Sequence, residues 1–292
     1  MIVDCHTQIW DSATARGRAD TAMVSEAVQA DAMHHLEALV PVDHAFVLAF
    51  KSSYLEAEIP NRFVADYVRQ NASKMVGFAG IDPTEVDWRE ELRIAQEELH
   101  LKGVTVSPAL QNFHPCDTRA MRLYEQCASR KMPIIFEQNH RSAAAKMEFS
   151  RPALLDEVAR EFPDLPIVIA HMGHPWIAET VVLLGKHERV FANVAGLLRQ
   201  TWTAYNALLT AYECDVMNKL LFGSGFPHRS PTACIESLYS INQIREGTSL
   251  AAIPREQLRG IVERDALALL GIEQPAARVT NKPKSTILAD DE

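Results

Sequence analysis

The stretch that most constrains this chain is Lys219–His228, which reads KLLFGSGFPH. A short apolar run, Lys219-Leu220-Leu221-Phe222, is closed by Gly223, Gly225 and Pro227. A run this short with turn residues behind it reads as a fully buried strand opening into a loop. Strands buried on both faces belong to parallel sheets, and in barrels the loops after such strands carry the chemistry. Between Phe222 and His228 there is no carboxylate.

Seven more runs of this kind precede it. They are Ile2–His6, His44–Phe50, Met75–Ile81 (stopped by Asp82-Pro83), Leu101–Val106, Pro133–Glu137, Pro166–His171 and Val190–Ala195. Amphipathic segments lie between them. Asp31 is placed to cap a helix with Ala32, Leu36 and Leu39 on one face, leaving His34 and His35 at the surface. Asn61 is placed to cap a helix burying Val64, Tyr67 and Val68. Trp88, Leu92, Ala95 and Leu99 mark the next, followed by Arg119–Arg130. Ser150 and Pro152 open a helix with Leu154, Leu155, Val158, Ala159 and Phe162 inward. Ile177–Leu184, Thr201–Glu213 and two closing helices at about 231–246 and 255–270 complete the series. Residues 11–25 and Ser107–Asp117 read as long loops. Eight strands alternating with helices predict a single-domain α/β protein, a (β/α)8 TIM barrel over residues 1–271. Residues 272–292 lack an apolar period and are expected to form a flexible tail.

Composition excludes several functions. The chain has 292 residues, 47% of them hydrophobic, and a formal net charge of −9. That charge leaves no footprint for nucleic acid and argues against an anionic membrane surface. No apolar run approaches the roughly 18 residues of a membrane span. The opening MIVDCH runs directly into a strand, so no leader is expected. Cys5, Cys116, Cys127, Cys214 and Cys234 contain no CxxC pair, in keeping with reduced structural thiols and a cytoplasmic protein. There is no GxGxxG or GxxxxGK[ST] loop for a nucleotide.

In a barrel of this kind the strand ends line the pocket. The first strand ends in His6. The fifth ends in Glu137, followed by Gln138-Asn139-His140. The sixth ends in His171, followed by Met172-Gly173-His174-Pro175-Trp176. The segments IVDCHTQIW, Phe113-His114-Pro115, PIIFEQN, VIAHMGHPW and LLFGSGFP carry a resemblance. From residue 1 to about 271 the chain resembles the amidohydrolase superfamily, in the branch that includes aminocarboxymuconate-semialdehyde decarboxylase and dicarboxylic lactone hydrolases. The resemblance implies a barrel whose pocket takes small, often carboxylated, organic molecules, and a homodimer is common in such proteins.

The departures from that family decide the expected mechanism. Its first strand usually ends in His-x-His, where this chain has His6-Thr7-Gln8. Its fifth usually supplies a histidine, where this chain has Glu137. Its eighth usually reads Gly-Ser-Asp-Phe/Tyr-Pro, whose Asp binds metal and acts as general base; here Gly225 stands in its place. The fourth strand often carries a lysine where this chain has Thr105. Zinc prefers His, Cys or carboxylate ligands, so Gln8 is a poor ligand and Gly225 none. No cofactor is therefore expected, zinc at His6 and Glu137 being the weaker alternative. His171 matches a histidine that polarises or protonates the substrate, chemistry an imidazole performs without metal.

Two readings follow. In the first, an enzyme hydrolyses or decarboxylates a small carboxylated substrate, with His171, Glu137 and His6 catalytic and Gln8, His174 and Trp176 binding the substrate. In the second, a catalytically inactive pseudoenzyme binds a metabolite or a protein partner through the same pocket. Beside them stand plainer roles: Glu137 as ion-pair partner of Arg141 or Arg229, and His174 and Trp176 as packing at a helix start.

Overall fold

The computed structural model describes residues 1–11, 30–138 and 143–274. Its strands are β1 (Val3–Thr7), β2 (His44–Leu48), β3 (Phe50–Ser52), β4 (Ala57–Ile59), β5 (Met75–Gly80), β6 (Gly103–Val106), β7 (Ile134–Phe136), β8 (Ile167–Ile169), β9 (Val190–Asn193) and β10 (Leu220–Leu221). Among the described residues, eight of these form one parallel sheet in the order β1-β2-β5-β6-β7-β8-β9-β10. The sheet closes on itself through backbone hydrogen bonds between its first and last strands. Cys5 N donates to Phe222 O at 2.9 Å, Gly225 N to His6 O at 3.0 Å and Gln8 N to Phe226 O at 2.9 Å. The fold is the expected (β/α)8 barrel in a single domain.

Two apolar layers account for it. Val3, Cys5, Phe46, Leu48, Val76, Phe78, Ile135, Val168, Phe191 and Leu221 fill the barrel, alternate residues of each strand meeting there. The other face of each strand packs under the helices, as with Val104, Ile134, Ile167 and Ala192. That burial on both faces is why the strands read as continuous apolar runs. The helices are α1 (Ala32–Ala38), α2 (Asn61–Gln70), α3 (Trp88–Glu97), α4 (Thr118–Ser129), α5 (Leu155–Glu161), α6 (Ile177–Lys186), α7 (Thr201–Glu213), α8 (Pro231–Tyr239), α9 (Arg255–Val262) and α10 (Ala266–Leu270). Asp31 caps α1 by accepting from Met33 N and His34 N at 3.0 and 3.1 Å, as its position before the apolar run predicts.

Four expectations change. The second strand stops at Leu48, and Phe50 opens an antiparallel hairpin, β3 with β4. Its backbone crosses so close to β5 that a Cβ on Gly80 would lie 2.6 Å from the Phe50 backbone, a contact only glycine permits. In α1 it is His35, not Leu36, that is buried; His35 Nδ1 meets Tyr67 OH at 2.8 Å and its ring packs 4.8 Å from Phe226, while Leu36 is exposed. Asn61 does not cap α2, whose N-cap is Pro60; its amide instead brackets Gly80, accepting from its N at 2.8 Å and donating to its O at 3.1 Å. The closing helices are each broken, α8 being followed by a 3-10 turn at Ile241–Arg245 and α9 by α10. Most of the loop expected at 11–25 and of the tail at 272–292 lies outside the described residues. No helix among the described residues is long and apolar enough to cross a membrane.

Candidate active site

His6, Glu137 and His171 come together at the strand ends. His6 Nε2 lies 3.3 Å from Glu137 Oε1 and His171 Nε2 lies 3.4 Å from Glu137 Oε2. The two imidazole centroids are 4.9 Å apart. The carboxyl group is almost wholly buried, with 3% of its side chain exposed against 23% for that of His171.

Each side chain arrives by a different backbone device. Glu137 is the simplest, standing two residues beyond the interior Ile135 and therefore one layer higher on the same face. His6 needs a bulge. Between Asp4 and Thr7 the chain advances three residues while β2 advances two, Ala45 to Val47, so alternation slips by one. His6 thereby joins Val3 and Cys5 in facing the barrel. Asp4 Oδ1 staples the bulge by accepting from His6 N at 3.1 Å and Ser224 N at 2.9 Å. Burial pushes the Asp4 carboxyl up to about 6, the side chain of Ser224 and the N–H groups of Ser224 and His6 opposing the shift. His171 is aimed by a reversal: it and Met172 both take left-handed backbone, φ 57° and 48°. Such residues cost about 1–2 kcal/mol each relative to right-handed backbone. Here the turn is held by His171 N donating to Asn193 Oδ1 at 3.0 Å and by His174 N donating to His171 O at 3.0 Å.

The hydrogen-bond partners define the tautomers. His171 Nδ1 lies 2.8 Å from Ala195 O, so it carries the proton and donates. Asn193 Oδ1 accepts from His171 N and, at 3.2 Å, from Ala195 N. That orients the amide, so the group 3.3 Å from His6 Nδ1 is its NH2. His6 Nδ1 therefore accepts, and its own proton sits on Nε2, facing Glu137. Burial drives His6 down to about 4, opposed by Glu137 and helped by His171 and His228, which keeps the ring neutral near pH 7.

The three donor atoms lie within 4.8 Å of one another, close enough to be tested as a cation site. Metal-binding imidazoles ordinarily donate their second N–H to a carboxylate, carbonyl or water. His171 meets that requirement through Ala195 O. His6 does not: a lone pair on its Nε2 would place a proton on Nδ1 against the NH2 of Asn193. As the hydrogen bonds stand, His6 turns its Nε2–H toward the cation position, while Glu137 and His171 can offer it lone pairs.

Of the expected binding residues, Gln8 follows the bulge, and its Nε2 is buried with no hydrogen-bond partner among the described residues. His174 and Trp176 lie on the turn beyond His171, Trp176 at the N-cap of α6 and its N bonded to Gly173 O. Arg229 does not serve Glu137; it donates to Leu198 O, Ala233 O and Ser237 Oγ. Asn139, His140 and Arg141 lie outside the described residues. Gly225, where the family's aspartate would stand, has φ 73° and backs onto Gly196 N and Ala195. Three residues the sequence reading passed over belong here. Asn193 ends β9, where inspection of every strand end would have found it, and His228 lies in the loop beyond β10. Asp4 had no signal, because a bulge leaves no mark in the apolar pattern.

The chain is a member of the amidohydrolase family, whose family model matches residues 3–272. Among solved structures it is similar to a probable 2-pyrone-4,6-dicarboxylic acid hydrolase from Acinetobacter baumannii with citric acid bound, at 16% identity and TM-score 0.68, over 93% of this chain and 99% of that one. It is also similar to 5-carboxyvanillate decarboxylase from Sphingomonas paucimobilis, at 12% identity and TM-score 0.63, over 93% and 99%. A third is a dihydroxybenzoic acid decarboxylase from a Polaromonas species with bound manganese and the inhibitor 2-nitroresorcinol, at 14% identity and TM-score 0.61, over 92% and 96%. At these identities the likeness establishes the fold. No curated protein sequence matches the chain.

Proposed function

We propose that this protein hydrolyses or decarboxylates a small carboxylated ring compound by proton transfer at His6, Glu137 and His171, without a metal in that cluster. The observation that carries the reading is the convergence of two imidazoles of defined tautomer on one buried carboxyl group. With Nδ1 committed to Ala195, His171 meets Glu137 through a nitrogen whose lone pair would oppose a carboxylate oxygen. The contact is favourable when one proton lies between them. That shared proton is what general acid–base chemistry requires.

In hydrolysis, Glu137 takes a proton from attacking water and His171 delivers one to the leaving oxygen. In decarboxylation, the pair delivers its proton to the carbon from which carbon dioxide departs. His6 Nε2 stays beside Glu137 Oε1, 3.3 Å away. Gln8 Nε2 and Thr105 Oγ1 are buried polar groups with no partner among the described residues, and they suit a substrate with several oxygens. Burial, and then Arg199 and His171, hold His228 below the usual imidazole value. The structural neighbours act, by their names, on ring compounds carrying carboxyl groups, which supports that substrate class.

The test is a panel of aromatic carboxylic acids and pyrone or lactone acids, followed by ultraviolet absorbance, with chelator-treated protein. Turnover that survives chelation and is lost in Glu137→Gln is expected. Turnover only after adding zinc or manganese would overturn the reading. The replacement of the family's aspartate by Gly225 favours a second reading, a binding protein without turnover. Saturable calorimetric binding of a panel member that is never consumed would establish that one.

A further inference from the structure

We propose that Asn193 is a positioning residue that keeps the ring proton of His6 on Nε2, the nitrogen 3.3 Å from Glu137 Oε1, and that this one amide keeps the cluster from closing around a divalent metal. The proposal deepens the metal-free reading above, but its first measurement does not depend on turnover.

Asn193 ends β9, two residues beyond the interior Phe191, and is wholly buried. Its Oδ1 is held by two backbone donors, His171 N at 3.0 Å and Ala195 N at 3.2 Å. Rotating the amide to offer its oxygen to His6 would set NH2 against both N–H groups, leaving two buried donors facing donors. The amide is therefore locked, and a locked NH2 admits only an acceptor at His6 Nδ1, 3.3 Å away. One residue thus does two jobs. It stabilises the left-handed turn that aims His171, and it sets the tautomer of His6. The two imidazoles are treated oppositely: His171 Nδ1 faces a carbonyl, the partner that suits a metal ligand, and His6 Nδ1 faces a donor, the partner that does not.

Asn193→Asp changes the least. One carboxylate oxygen keeps both backbone donors, and the other now accepts from His6 Nδ1–H, freeing Nε2 to bind a cation. His6, Glu137 and His171 would then present two imidazole nitrogens and one carboxylate, a ligand set known in catalytic zinc sites. Outer-shell partners of this kind are worth about 10–100-fold in metal affinity.

The experiment combines long-range 1H–15N NMR of ring-labelled histidines with zinc binding measured by equilibrium dialysis and elemental analysis. His6 signals are assigned by their loss in His6→Gln. In the wild-type protein His6 is expected as the Nε2–H tautomer, and Nδ1–H would overturn the proposal whatever the protein catalyses. In Asn193→Asp the tautomer is expected to switch and zinc affinity to rise at least tenfold; an unchanged tautomer, or a switch without tighter zinc, would overturn it. If that variant does not fold, the wild-type spectrum still decides the tautomer. Near-stoichiometric zinc held by the wild-type cluster would also overturn it.

Discussion

The two sides of the barrel mouth use polar side chains in opposite ways. Over β2, β5 and β6 the chain folds back on its own rim through the β3–β4 hairpin. Gln111 and Asp82 there are taken up largely by backbone, although Thr105 Oγ1 and Ser107 Oγ are buried with no hydrogen-bond partner among the described residues. Gln111 Oε1 accepts from Ser107 N at 2.7 Å, and its Nε2 donates to Lys51 O and Ile81 O at 2.7 and 2.8 Å. Asp82 accepts from Ser53 N at 3.0 Å and Thr84 N at 2.9 Å. Over β7, β8, β9 and β1 several polar groups instead face one another or stand open: Glu137 meets two imidazoles, and Asp4 Oδ2 and Gln8 Nε2 are buried with no partner among the described residues. The first side converts hydrogen bonds into rigidity. The second retains hydrogen-bonding capacity at some cost in stability, the pattern expected where a ligand completes the set.

The sharpest way to break this contrast is Glu137→Gln. It should lower kcat by about 10²–10⁴-fold on whatever substrate the panel identifies, as removal of a general acid–base group does, with little loss of thermal stability. A variant that lost stability but kept its rate would place Glu137 with the structural side. Gln111→Leu is the converse experiment. It strands buried backbone groups at about 1–3 kcal/mol each, so denaturant midpoints should fall clearly while kcat is unchanged.

A smaller effect concerns acid. Burial, reinforced by Lys74, holds His35 down at about 3, against an ordinary value of 6.5. Between those values the unfolded chain binds the proton and the folded one does not, so His35 contributes stability above pH 6.5 that is lost as pH falls toward 3. His6 acts in the same direction down to about 4. His35→Leu should therefore lose less stability than the wild type between pH 7 and pH 4 in urea titrations; equal losses would show that His35 is not the buried base described. The smallest change is Gly225→Ala. At φ 73° a side chain costs about 1–2 kcal/mol, while the nearest atom to its Cβ is 3.4 Å away. A loss well beyond that would mean that packing, not backbone conformation, keeps glycine there.

Much of this was open to reading in the chain itself. Eight short apolar runs, each closed by turn residues, determined a parallel barrel, because strands covered on both faces have no reason to alternate. The position of His6, Glu137 and His171 at the ends of such runs was enough to place them at one mouth. The departures at Gln8 and Gly225 were visible as residue types. Tertiary structure decided the rest. The bulge that turns His6 inward exists only against the register of β2. The burial of His35 depends on Tyr67 and Phe226, which lie in other elements, and Leu36 has a helical spacing just as plausible. The protonated nitrogen of His6 is chosen by Asn193, 187 residues away in the chain and itself held by the backbone of His171 and Ala195. Sequence period reports which face of an element is apolar. It carries no record of which distant donor or acceptor a buried polar group will meet, and in this protein that pairing sets the chemistry.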